Sequence, residues 1–205
     1  MNRGSNAFAI VVSGPSGVGK STLERRLVEA DPMLVSSIST TTRSPRDGEK
    51  TGRDYFFVDR DVFEHMKQQE LVEWAEVHGE YYGTPRRFVE NEISNGRDVL
   101  LNIDVQGGIR VKKVFPDAVM IFIFPPSFET LKERIHRRGD DESIDIDTRM
   151  KNAIEEINAS DQYDYLIVND DLDEAVRQIQ AVIDAERCRR SRQKSAFLES
   201  LKSQE

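Results

Sequence analysis

The chain holds a single cysteine, Cys188, among 205 residues, so no disulfide can form within it and a reducing compartment is expected. It also lacks long apolar runs. The first, Phe8 to Val12, is too short for a membrane span or the core of a signal peptide, which makes the cytoplasm the expected location and a membrane an unexpected partner. Positive charge is in deficit. The 29 lysines and arginines face 37 aspartates and glutamates, and the net charge of −8 argues against a nucleic-acid partner. That deficit does not exclude anionic small molecules, because a local group of arginines can dominate a cleft in an acidic protein. Repeats, coiled-coil heptads and low-complexity tracts are absent as well. Nothing in the pattern sets an oligomeric state.

What is present suits one soluble domain with inserted lobes. Hydrophobic residues at 38% and charged residues at 32% are too apolar for disorder. A domain of this length buries roughly 70% of its unfolded surface, so it needs no disulfide or metal staple. The continuous apolar run Phe8–Val12 predicts a strand buried on both faces, and Ser21 to Ala30 predicts a helix carrying Leu23, Leu27 and Val28. Further buried strands are expected within Asp98–Asp104, Ala118–Phe124 and Tyr165–Val168. Helices are expected over Val105–Val114, after Ser127, over Arg149–Ser160, and from Leu172. Apolar strands alternating with helices imply a three-layer α/β/α fold around a central parallel sheet.

Between residues 38 and 96 the alternation breaks into shorter pieces. Tyr55–Val58 and Leu71–Val77 read as strands, and Asp61–Gln69 and Pro85–Ser94 as helices, with His78-Gly79-Glu80 as a polar turn. The expected organisation is therefore a core of 1–37 and 97–205 with a lobe inserted at 38–96. Residues 137–148 are highly polar and read as a short mobile lid within the core. The basic stretch Arg187, Arg189, Arg190, Arg192 and Lys194 reads as a solvated helix face.

Gly14-Pro15-Ser16-Gly17-Val18-Gly19-Lys20-Ser21 matches the P-loop pattern, between a buried strand and a helix, where that pattern belongs. Glycines let successive backbone N–H groups turn inward on an anion, and the helix that follows aims its positive end at the same place. Lys20 is placed to reach β- and γ-phosphates and Ser21 to offer a hydroxyl to Mg²⁺, with Thr22 beside it. ATP and Mg²⁺ are the expected ligands. Asp104, at the end of an apolar strand, reads as orienting Mg²⁺ waters, contacting an acceptor, or capping the next helix.

Downstream comes Ser39-Thr40-Thr41-Thr42-Arg43-Ser44-Pro45-Arg46, followed by Gly52-Arg53-Asp54-Tyr55-Phe56-Phe57, Glu73-Trp74-Ala75-Glu76, Tyr81-Tyr82-Gly83-Thr84, Asp104-Val105-Gln106-Gly107 and Ile167-Val168-Asn169-Asp170-Asp171-Leu172. With these segments the sequence resembles the guanylate kinases from residue 8 to about 190. The resemblance implies transfer of the γ-phosphoryl group of ATP to GMP or dGMP, giving ADP and GDP, in purine nucleotide metabolism. It implies that the inserted lobe binds GMP, with Arg43, Arg46, Tyr55 and Tyr82 holding its phosphate and Ser39, Glu73 and Thr84 reading guanine. It also implies that Asp104 lies on the acceptor side, that Arg134, Arg138 and Arg149 act with Lys20 on the transferring group, and that Asn169 lies near the adenine. The chemistry is sensible: an arginine fork suits a phosphate, and a carboxylate accepts from both the ring N–H and the amine of guanine.

One departure is Asn102, where the family often carries a carboxylate. A non-catalytic phosphopeptide-binding module is opposed by the intact Lys20, Ser21, Arg138 and Arg149. A kinase with another acceptor, such as a ribose phosphate, is opposed by Glu73 and Ser39.

Overall fold

The computed structural model describes residues 6–77, 79–138, 146–193 and 197, except for the side chains of 137, 138, 146 and 147. The chain opens with β1 (Ala9–Ser13), α1 (Lys20–Ala30) and β2 (Leu34–Ser36). A central portion follows: β3 (Thr40–Thr41), β4 (Phe56–Phe57), α2 (Arg60–Gln69), β5 (Leu71–Val77), β6 (Glu80–Pro85) and α3 (Arg86–Ser94). The remainder is β7 (Asp98–Asn102), α4 (Val105–Val114), β8 (Val119–Phe124), α5 (Phe128–Arg138), α6 (Ile146–Asn158), a 3-10 turn (Ala159–Gln162), β9 (Tyr165–Val168) and α7 (Leu172–Arg187).

Five strands form a wholly parallel sheet in the order β2-β7-β1-β8-β9. The period of two along β1 divides the core. Ile10 and Val12 pack with Leu23 and Leu27 of α1 and with Ala175, Ile179 and Ile183 of α7. Ala9 and Val11 pack on the other face with Val89 of α3 and Val105 and Val111 of α4. Helices thus cover both faces, which explains why these strands read as unbroken apolar runs. The first strand lies in the middle and the chain winds out to either side, so a crevice opens at the carboxyl ends of the strands beside β1.

A second sheet, β4-β3-β6-β5, lies within residues 40–85. Its β5–β6 pair is an antiparallel hairpin, and β3 runs antiparallel to β6 and parallel to β4. Three strands differ from the sequence reading. β2 and β3 span only three and two residues, too short for a periodic signal. β6 takes in Glu80, expected in the polar turn, and Pro85, expected in the following helix, and Glu80 already pairs with Val77. His78 lies outside the described residues.

Two expectations are corrected. The helix expected from Arg149 begins at Ile146, and α5 runs to Arg138, so helix enters the polar stretch 137–148 from both ends. Met150 and Ala153 of α6 pack on Leu131 and Ile135 of α5, and this apolar contact holds both helices together. Residues 139–145 of the expected lid lie outside the described residues. The basic C-terminal stretch is not simply a solvated face. Arg187 pairs with Asp98 at 2.7 Å and Asp31 at 2.8 Å, and Arg192 lies over the Phe8 ring at 4.1 Å while bonding Glu186 at 3.3 Å. Lys194 lies outside the described residues.

Candidate active site

The loop from Gly14 to Gly19 joins the carboxyl end of the central strand β1 to α1. Gly19 sits at φ +105°, and a β-carbon there would lie 2.5 Å from Asn169 Nδ2, so neither the backbone nor the space admits a side chain. The N-terminus of α1 has no side-chain cap and no acidic residue in its first turn. Asp104 caps α4 and Asp171 caps α7. The α1 terminus therefore keeps its N–H groups and positive dipole end for an anion. Lys20 Nζ folds back over the loop, donating to the carbonyl of Gly14 and, at 3.2 Å, to that of Pro15.

Two distant segments latch onto this loop. Buried Asn169, just after β9, donates from Nδ2 to the Val18 carbonyl at 2.8 Å. Arg134 of α5 donates to the Asn169 carbonyl at 3.3 Å and to that of Val18 at 3.5 Å. Arg149 lies near the start of α6, half-buried. The side chain of Arg138 lies outside the described residues. Glu156 of α6, absent from the sequence reading, is within electrostatic reach of Lys20; burial pushes its carboxyl up while Lys20 draws it down.

Across the crevice the second sheet gathers the other group of residues. Arg43 Nη2 binds both carboxylate oxygens of Glu49 at 2.9 and 3.0 Å, and Tyr82 bonds to the same guanidinium. Its guanidinium lies 5.5 Å from the Tyr55 ring centre, and Tyr55 meets Tyr82 edge to face at 6.0 Å. The Arg46 backbone N–H donates to Glu49 at 2.7 Å, while its side chain is exposed. Glu49 was not singled out in the sequence; its three-residue spacing from Arg46 was the available signal.

Glu73 and Thr84 face each other across the β5–β6 hairpin, and the Thr84 hydroxyl donates to Glu73 Oε1 at 2.6 Å. Both are buried. Burial pushes the Glu73 carboxyl above its usual range, and Asp104 adds to the rise, against the Thr84 hydrogen bond and Arg110. Gly107 allows this approach: a β-carbon there would sit 3.1 Å from Glu73 Oε2. Arg110, a third residue missed in the sequence, donates from the same helix to the Trp74 carbonyl at 2.5 Å.

Between the two groups lies a cleft of about 400 Å³ lined by Ser21 and Glu24 of α1, Ser39, Tyr55 and Arg53 of the central portion, and Asn102 at the end of β7. Of the three roles open to Asp104, the structure displays the helix cap: Oδ1 accepts from the Gly107 N–H at 2.7 Å. The cleft joins members of both groups, whereas Asn169 and Arg134 bond to the Val18 carbonyl of the loop and are not among its lining residues.

A parallel sheet of this order, with a glycine-rich loop leading from its central strand into an uncapped helix, defines the class: a P-loop α/β protein built to hold a nucleotide's phosphates. The family model described as guanylate kinase matches residues 6–186. The chain is 47% identical over 190 residues to a guanylate kinase of Caldanaerobacter subterraneus subsp. tengcongensis, covering 92% of each chain. It is 50% identical over 190 residues to one of Rhizobium meliloti, covering 92% of this chain and 87% of the relative. A crystal structure of guanylate kinase from Anaplasma phagocytophilum superposes with a TM-score of 0.71 at 36% identity, covering 92% of this chain and 90% of that one. The chain belongs to the guanylate kinase family.

Proposed function

We propose that this protein transfers the γ-phosphoryl group of ATP to GMP, giving ADP and GDP, with 1–37 and 97–205 holding ATP and 38–96 holding GMP. The observation that carries this reading is the buried Glu73–Thr84 pair, set in the second sheet and close to α4. An ionised carboxylate at this place accepts from the ring N–H and exocyclic amine of guanine together, with Thr84 and Ser39 completing the polar edge. Adenine offers no matching ring donor.

Arg43, Tyr55, Tyr82 and Arg46 hold the phosphate of GMP. In the structure Glu49 holds Arg43 Nη2 and the Ser44 carbonyl holds Nη1, so binding GMP exchanges these partners for a phosphate that the whole guanidinium fork can grip. The loop 14–19, Lys20, Ser21 and Thr22 hold the ATP phosphates. Asn169 braces the cradle on its adenine side. The GMP phosphate is already an anion and needs no base; catalysis is positioning plus charge neutralisation by Lys20, Arg134, Arg138 and Arg149.

Among the described residues no three or more His, Cys, Asp or Glu side chains gather to hold a metal by themselves. The oxygen-rich set Ser21, Glu24 and Asn102 at the cleft fits an ion that arrives on a triphosphate and keeps several waters, as Mg²⁺ does. Ser21 would be its protein ligand. Bound there, Mg²⁺ supplies neutralising charge to the β- and γ-phosphate oxygens. The cytoplasm is the proposed location; no helix among the described residues is long and apolar enough to cross a membrane.

The test is to incubate γ-labelled ATP and magnesium with GMP. Label recovered in GDP supports the reading, and label recovered only in inorganic phosphate overturns it.

A further inference from the structure

Glu24 is a carboxylate in a place where a carboxylate should repel. It lines the cleft between the phosphate cradle and the acceptor group, which the proposed reaction fills with phosphates. At close range two like charges oppose each other by about 1–4 kcal/mol, unless a cation lies between them. Two further carboxylates line the same cleft, and each has an arginine beside it: Asp54 pairs with Arg53 at 2.8 Å and Glu49 with Arg43 at 2.9 Å, whereas the partners of Glu24 described below are neutral.

The surroundings of Glu24 hold it in place. Asn102 Nδ2 donates to Glu24 Oε2 at 2.8 Å, and the Ser36 hydroxyl donates to Oε1. The same Asn102 amide lies 3.4 Å from Ser21 Oγ. One amide therefore links the hydroxyl proposed for the metal to a carboxylate three residues further along α1. A carboxylate at 102 would face Glu24 with like charge across that distance. An amide there is the choice compatible with Glu24, and together the two residues keep one negative charge beside Ser21, carried by α1 rather than by the end of β7.

We propose that Glu24 is a positioning residue for the metal end of the reaction, its carboxylate directed by Asn102 and Ser36 at the water shell of the ion that ATP brings to Ser21. This rests on assigning the cradle to a metal-bound nucleotide. It accounts for Asn102 as a tether, and it makes Glu24 and Asn102 a matched pair.

The test is Mn²⁺ titrated into the ADP-loaded protein and followed by electron paramagnetic resonance. Outer-shell groups of this kind change metal affinity by about 10–100-fold. Glu24→Gln is expected to weaken Mn²⁺ binding about tenfold at the low end of that range, while ADP binding in the presence of a chelator stays the same or tightens. The double change Glu24→Gln with Asn102→Asp returns the charge from the other side and should recover most of the affinity. Asn102→Ala, which leaves the charge and removes the tether, should give a smaller loss of the same sign, and it serves as a second reading if Glu24→Gln unfolds. Unchanged Mn²⁺ affinity in Glu24→Gln, or a double variant no better than the single one, overturns the proposal. Failure of the parent protein to bind ADP would instead remove the cradle assignment beneath it.

Discussion

Replacing Glu73 by glutamine changes one carboxylate oxygen to an amide NH₂ and leaves the shape of the site intact. The parent carboxylate accepts from Thr84 at 2.6 Å on Oε1. In the proposed complex it also accepts two hydrogen bonds from guanine. Glutamine keeps one acceptor and turns an NH₂ toward a guanine donor. The change removes one charge-assisted hydrogen bond, about 1.5–3 kcal/mol, and leaves a buried donor unsatisfied, about 1–3 kcal/mol. Taken together, about 2.5–6 kcal/mol lowers kcat/KM for GMP by about 70- to 25,000-fold. Nucleotide binding at the cradle in the absence of GMP should not change.

Stability moves the other way. Burial raises the folded-state pKa of Glu73 above its reference value of 4.5. The stability this group contributes is complete below the unfolded pKa and is lost as pH rises through the folded value. At neutral pH the variant should melt no lower than the parent, with any gain shrinking as pH falls toward 4.5. Steady-state kinetics, ADP titration and thermal melts at several pH values read all three effects. Equal losses for GMP and ADP, or a variant that loses activity because it unfolds, would refute the reasoning.

Three further outcomes are expected. Arg187→Ala strips Asp98, buried and also accepting from the Phe8 N–H at 3.0 Å, of its cation. It should cost about 3–5 kcal/mol in urea unfolding, with the kinetic constants of the folded fraction unchanged. Gly107→Ala places a methyl 3.1 Å from Glu73 Oε2 and should raise KM for GMP more than KM for ATP in steady-state assays. Lys20→Ala should lower kcat by two or more orders of magnitude, roughly the loss for a preorganised charge at a transferring group, with an unchanged melting temperature.

The cradle was legible because all its members are consecutive and flanked by the strand and helix they require. The strands β1, β7 and β8 were legible because helices bury both faces of the parallel sheet and leave apolar runs. β2 and β3 were not, since two or three residues carry no period. β6 was hidden because Gly83 and Pro85 are poor strand formers, although Gly83 pairs with Trp74 inside the hairpin.

The acceptor site is harder to read. Glu73 and Thr84 are eleven residues apart and meet only once the hairpin closes, so family resemblance, not local chemistry, picked them out. Glu24 looks like the solvated side of an amphipathic helix. Its significance depends on Asn102, which is 78 residues away in sequence and 2.8 Å away in space. Arg187 read as one charge in a basic run, and only packing shows that it joins α7 to Asp31 and Asp98.

In the proposed reading two anion sites face one cleft, and the acceptor side is built for guanine. The most direct test of that claim is the ratio of kcat/KM for GMP to that for AMP, at saturating ATP and magnesium. Buried polar groups that pair only with the correct base should hold that ratio near 10⁴ or above. AMP turned over within about tenfold of GMP, a discrimination of only about 1.4 kcal/mol, would contradict it.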